Sequence, residues 1–197
     1  MKRIIAIEGM PGAGKTTLIS NIMKNGFLGN SVFLPQLEIK NYLGDDIKAS
    51  KLYLDAEKDK NDSVKKLLKN NNNVLLDRTF ITTLAYCYAR SCVKKDPEQY
   101  KQLNEYFRLL FRNDYFIRPD IIICLDISIS ESISRRIDFI NTKGCCYWFD
   151  PIFLGYFRNF YLKNINQFGC ERIFILNSTN IDERDLLKKT KKLLNLL

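Results

Sequence analysis

The chain has 197 residues, a formal charge of +9 and no histidine. That length suits one domain with a sizeable core, and the missing imidazole excludes every His-based triad and His general base. Six cysteines, Cys87, Cys92, Cys124, Cys145, Cys146 and Cys170, lack paired C-x-x-C spacing, so they read as reduced thiols of a cytoplasmic protein and argue against a zinc site.

The first apolar run, 4–7, stops at Glu8. It is too short for a signal-peptide core or a membrane span, and it predicts a buried strand over 3–8. Gly9, Met10, Pro11, Gly12, Ala13, Gly14, Lys15 and Thr16 then fit the Walker A pattern G-x-x-x-x-G-K-S/T, with Thr17 behind it. Backbone N–H groups must wrap a polyphosphate there, and a side chain on any of the glycines would block the approach. A helix over 15–25 adds a dipole that favours anions at its start. In this strand–loop–helix context, 9–17 implies a bound nucleoside triphosphate. Lys15 reaches the β- and γ-phosphates and the Thr16 hydroxyl sits on Mg²⁺.

Further strands are predicted at 31–34, 73–77, 120–126 and 172–176. Helices are predicted at 45–70, 79–94, 97–115, 129–141, 149–167 and 182–195. This alternation is the pattern of a parallel α/β sheet. The runs 121–125 and 173–176 lack polar alternation, which predicts helices over both faces. The asparagines of 70–73 form a polar turn into the third strand. Phe107, Phe111, Tyr115 and Phe116 either pack as core or line a base pocket. Lysine clusters at 65–66, 94–95 and 188–192 read as solvated helix faces, with a nucleic-acid surface the disfavoured alternative.

Asp77-Arg78 closes the third strand beside the first, where α/β sheets bind ligands. Asp77 is placed to organise Mg²⁺ through its waters. Arg78 is placed to hold an acceptor phosphate or to offset charge on a transferred group. The plainer alternative is a helix-capping Asp followed by a surface Arg.

Residues 7–17, then Leu76-Asp77-Arg78 with Thr82, Ala85 and Tyr86 behind, resemble the thymidylate kinase family; Arg118-Pro119-Asp120 leading into Leu125-Asp126 is similar to its Pro-Asp strand. The resemblance spans nearly the whole chain. It implies a P-loop kinase fold, a five-stranded parallel sheet flanked by helices, in one domain over 1–197 with a short lid near 135–150. It also implies ATP and Mg²⁺ as cofactors, a small nucleoside or nucleotide acceptor, and a homodimer as one arrangement, with no membrane. Arg135 falls where the family's lid begins and is the expected charge-offsetting arginine; the adjacent Arg136 cannot share that direction on a regular helix. Lys143 is a stand-in for a further lid arginine.

Departures bear on the acceptor. Pro11 stands where thymidylate kinases carry Asp, Thr79 where they carry Tyr, and Cys87 where they carry Gln. Lys58, in Ala56-Glu57-Lys58, replaces the family's acceptor-binding Arg and otherwise reads as a solvated residue. The related deoxynucleoside kinases place a catalytic Glu after the second strand; Glu38 is either that base or an exposed loop carboxylate. The leading expectation is ATP-dependent transfer to a nucleoside monophosphate, with Lys15, Arg78 and Arg135 offsetting charge. The alternatives are a deoxynucleoside kinase and a non-catalytic or nucleic-acid-linked ATP-binding protein. A GTPase switch is disfavoured, because neither Asn-Lys-x-Asp nor Asp-x-x-Gly follows the loop.

Overall fold

The structure, a computed structural model, describes residues 2–36, 46–139 and 146–195. Its elements run β1 (Arg3–Gly9), α1 (Lys15–Asn25), β2 (Ser31–Leu34), α2 (Asp46–Asn70), β3 (Asn73–Asp77), α3 (Phe80–Lys94), α4 (Pro97–Arg112), β4 (Ile121–Asp126), α5 (Ile129–Ser134), α6 (Pro151–Asn164), β5 (Arg172–Asn177) and α7 (Glu183–Asn195). The strands form one parallel sheet in the order β2-β3-β1-β4-β5. After β1 the chain builds to one side, then crosses β1 and builds to the other. The carboxyl ends of β1, β3 and β4 therefore meet at a crevice between diverging connections, where such sheets bind ligands. Register fixes the neighbours: Ile7 lies beside Asp77, and Gly9 beside Leu125.

The three central strands are apolar on both faces because helices flank the sheet. Ile5, Ala6, Ile7, Val74, Leu75, Leu76, Ile122, Ile123 and Leu125 are all buried. Helix α3 packs on α6, α4 and α2, and α1 packs on α7. The continuously apolar β4 has both faces covered, but β5 does not: it is an edge strand and leaves Ile175 47% exposed.

Several helices stop earlier than their pattern suggests. Helix α5 ends at Ser134 instead of continuing to 141, and a single 3₁₀ turn follows at Ile137–Phe139. Tertiary hydrogen bonds explain this: the Ser132 hydroxyl donates to the Pro11 carbonyl at 2.6 Å and Arg135 donates to the Gly12 carbonyl at 3.2 Å, so the segment follows the loop, not its own helix axis. Helix α4 ends at Arg112, before Asp114 enters the left-handed region at φ 54°. Helix α6 begins at Pro151, capped by Asp150 accepting from the Ile152 N–H at 2.8 Å, and gives way to a 3₁₀ turn at Ile165–Phe168.

The aromatic stripe of α4 is core, not a base pocket. Phe80 of α3 is fully buried with ring centroids 5.2 Å from Phe107, 6.0 Å from Phe111, 4.9 Å from Phe116 and 5.6 Å from Phe168. Tyr115 lies outside this cluster, with the Lys58 ammonium 5.1 Å from its ring centre. Phe80→Ala is expected to cost ~3–5 kcal/mol in urea unfolding, because no flexible neighbour fills the void. A loss near ~0.5 kcal/mol, the surface range, would contradict this packing.

Candidate active site

The loop between β1 and α1 leaves the sheet through a gap that only glycine fits. Gly9 has φ 126°, and a Cβ there would stand 2.3 Å from the Leu125 carbonyl oxygen. At Gly12, φ is 74° and a Cβ would meet the Ser132 carbonyl oxygen at 2.9 Å. The first forces the loop against β4, the second against α5. The result is a cleft of about 500 Å³ lined by Gly12, Ala13, Gly14, Lys15, Thr16 and Thr17, with Arg135, Ile181, Asp182, Glu183 and Leu186 opposite. Gly14 precedes the first residue of α1, so the positive end of that helix opens into the cleft.

Lys15 is buried, and its ammonium donates to the carbonyls of Gly9 at 3.2 Å and Met10 at 2.8 Å. Burial, and then the nearby Arg78 guanidinium, push its pKa down to about 7; Asp77 and Glu8 pull the other way. An anion placed in the cleft would relieve that imbalance.

Asp77 ends β3 across from α1. Its Oδ2 accepts from the Thr16 hydroxyl at 3.2 Å, while its Oδ1 is buried without a partner. An unpartnered buried carboxylate oxygen is costly, and a hard cation beside it fits. Among the described residues no group of three or more His, Cys, Asp or Glu converges. Thr16 and Asp77 therefore suit Mg²⁺, which is held by one or two protein oxygens, waters and substrate phosphates, and do not suit a caged metal.

Arg78 is 9% exposed and adopts φ 66°, uncommon for any residue but glycine. Its guanidinium donates to the Gly9 carbonyl at 3.0 Å and the Thr82 hydroxyl at 3.2 Å. It is thus neither a surface arginine nor the neighbour of a capping Asp: Thr79 caps α3 by accepting from the Ile81 N–H.

Arg135 and Arg136 diverge, as adjacent residues must. Arg135 donates to the Gly12 carbonyl and, at 3.2 Å, to the Ser178 carbonyl, and it also pairs with Glu131. Arg136 turns to the Trp148 carbonyl at 3.2 Å and lies over the Phe149 ring. Glu38 and the lid residues 141–144, Lys143 among them, lie outside the described residues.

Sequence reasoning misses two features. The first is Glu8, fully buried, whose Oε1 accepts from the Thr79 N–H at 2.7 Å and hydroxyl at 2.6 Å, while Oε2 accepts from Thr82 at 2.9 Å and Tyr161 at 2.8 Å. A carboxylate ending an otherwise apolar strand was the available signal. The second is on α2. Lys58 is exposed, whereas Lys60 and Glu57 are buried and Lys60 donates to the Arg78 carbonyl at 2.7 Å.

Burial raises the Glu57 carboxyl from 4.5 to about 7; Lys60 lowers it and Glu8 raises it further. Between those values the folded chain holds a proton that the unfolded chain has released, so this contribution to stability is complete below about 4.5 and is lost as pH rises to about 7. Glu57→Gln is expected to remove that fall. The stability difference between parent and variant, from urea unfolding, should change by roughly 2–3 kcal/mol across the window. A difference independent of pH would contradict the assignment.

No protein-family model matches the chain. A probable thymidylate kinase of Thermoplasma volcanium is 32% identical over 139 residues, 66% of this chain and 70% of that protein. A probable thymidylate kinase of Pyrococcus horikoshii is 30% identical over 192 residues, 86% of this chain and 85% of that protein. Among solved structures, the thymidylate kinase of Candida albicans has a TM-score of 0.74 at 19% identity, covering 99% of this chain and 92% of its own. A deoxyadenosine kinase of M. mycoides with bound dATP has a TM-score of 0.70 at 20% identity, covering 98% and 99%. At such identities the structures speak to the fold alone, that of the P-loop kinases. The sequence relatives go further: the chain belongs to the thymidylate kinase family.

Proposed function

We propose that the chain transfers the γ-phosphoryl group of ATP to a nucleoside monophosphate. One observation carries the reading: the loop lysine Lys15 and the strand-end Arg78 both donate to the Gly9 carbonyl, while Asp77 accepts from Thr16 at the start of α1. The names of the sequence relatives support it.

Phosphoryl transfer asks little covalent chemistry of a protein; the work is positioning and charge. The phosphates of ATP lie along 9–17, where Lys15 exchanges its carbonyl partners for phosphate oxygens. Mg²⁺, held by Thr16 and Asp77 when bound, supplies positive charge to the β- and γ-phosphates. Arg78 neutralises the acceptor phosphate or the transferring group from the β3 side. Arg135, which lines the cleft just past the end of α5, does so from the other side. A monophosphate oxygen carries its own charge, so a chain without histidine needs no strong base for it. Among the described residues no helix is long and apolar enough to cross a membrane.

The test is a panel of nucleosides and nucleoside monophosphates incubated with Mg²⁺ and ATP, read as ADP and phosphorylated product. Monophosphates are expected to be the productive class, and Lys15→Ala is expected to abolish transfer while leaving the fold intact. Glu38→Gln is expected to change that rate little, since a positioned base is worth ~10²–10⁴-fold only where a hydroxyl must lose its proton. Transfer to nucleosides alone, with a large loss in Glu38→Gln, would replace this reading with that of a 5′-hydroxyl kinase. Undiminished transfer by Lys15→Ala would overturn the loop assignment.

A further inference from the structure

Helix α2 sends two charged side chains inward beneath the Asp77-Arg78 turn. Lys60 retains 3% of its surface and Glu57 8%. Taking an ammonium out of water costs several kcal/mol, and of the lysines on this helix Lys48, Lys58, Lys65, Lys66 and Lys69 stay exposed, so the burial of Lys60 calls for something there that needs it. The Lys60 ammonium lies 2.7 Å from the Arg78 carbonyl oxygen and 3.7 Å from Glu57 Oε1.

What Lys60 holds is the strained residue of the site. At φ 66° the Arg78 backbone sits where a side chain crowds its own peptide, at ~1–2 kcal/mol. Both sides of the residue are clamped. Its N–H donates to the Ile7 carbonyl of β1 at 3.1 Å, its carbonyl accepts from Lys60, and the next N–H, that of Thr79, donates to Glu8 at 2.7 Å. With the peptide fixed this way, the guanidinium lands beside the loop, on the Gly9 carbonyl and Thr82. Loss of the bond to Lys60 would let the Arg78 carbonyl rotate and the residue relax towards negative φ, swinging the guanidinium away from the loop. A charged donor makes the stronger clamp.

We propose that Lys60 is a positioning residue for phosphoryl transfer: its ammonium pins the Arg78 carbonyl and thereby aims the Arg78 guanidinium at the phosphate loop. This rests on Arg78 acting in transfer as set out above. Lys60 does not touch substrate; it acts only through Arg78, and so its effect vanishes when the Arg78 side chain is absent.

The test is a double-mutant cycle in the full chain, with steady-state kcat and KM for ATP and for the best monophosphate acceptor, and with folding checked by circular dichroism. Lys60→Met is expected to lower kcat/KM for the acceptor by roughly 10²-fold, the scale of an ångström-sized misplacement, with KM for ATP nearly unchanged. Lys60→Gln, which keeps a donor, should recover much of the loss. In an Arg78→Ala background, Lys60→Met should cost nothing further. Should Lys60→Met not fold, Lys60→Gln carries the same cycle, with a smaller loss that also disappears beside Arg78→Ala. Equal losses with and without the Arg78 side chain would overturn the proposal, because they would mark Lys60 as a general support of the fold. A slow Arg78→Ala protein alongside a Lys60→Met protein at the parental rate would overturn the role of Lys60 alone. An Arg78→Ala protein at the parental rate would overturn the reading of Arg78 and this role with it.

Discussion

A carboxylate removed from water must have its hydration replaced donor for donor, or it costs more than a domain can spare. Glu8 meets that demand with a backbone N–H and three hydroxyls, and those donors come from separate parts of the chain: Thr79 at the start of α3, Thr82 one turn on, and Tyr161 of α6. The bonds tie β1, which delivers the phosphate loop, to the turn that delivers Asp77 and Arg78. They also fasten α6 beneath both. Thr82 joins the circuit to the guanidinium of Arg78. The relative placement of loop and turn therefore rests on one buried side chain at the end of β1.

Around it the buried charges are arranged in opposition. Glu8 and Asp77 face Lys15, Arg78 and Lys60 within the same few elements. The cations are spent on main-chain carbonyls: Lys15 on Gly9 and Met10, Arg78 on Gly9, and Lys60 on Arg78. Lys15 is the strained member, its pKa held near 7 by burial and by Arg78. Such a group gains most from a polyanion, since a phosphate supplies counter-charge to both Lys15 and Arg78. Asp77, with one oxygen unpartnered, gains in the same way from a divalent cation.

The parts of this arrangement that sequence reveals are those with a local signature. The glycines of the loop, the strand that feeds it and Asp77-Arg78 at the end of β3 are all legible, because backbone conformation and apolar runs are written in consecutive residues. The α2 cation is not. Lys58 stays exposed, as its solvated reading expects, but helical phase turns Lys60 inward with Glu57, and the rule that inward faces are apolar conceals both. Tyr161 stands 153 residues from the carboxylate it serves, a separation no periodicity can span. The length of α5 is overestimated for the same reason. Its end is set by Ser132 and Arg135 bonding to the loop rather than by anything in its own sequence. Exposure of Ile175 follows from strand order, which an apolar run does not encode.

In the function proposed above, loop and turn form one continuous site for two nucleotides. The most direct measurement is calorimetric titration with a bisubstrate analogue, adenosine joined through a pentaphosphate to the nucleoside of the best acceptor, compared with ATP alone. A single site predicts binding of one analogue per chain, tighter than ATP, and weakened by both Lys15→Ala and Arg78→Ala, because one molecule then bears on the loop and on the turn. An analogue that binds no tighter than ATP, and that ignores Arg78→Ala, would contradict the account.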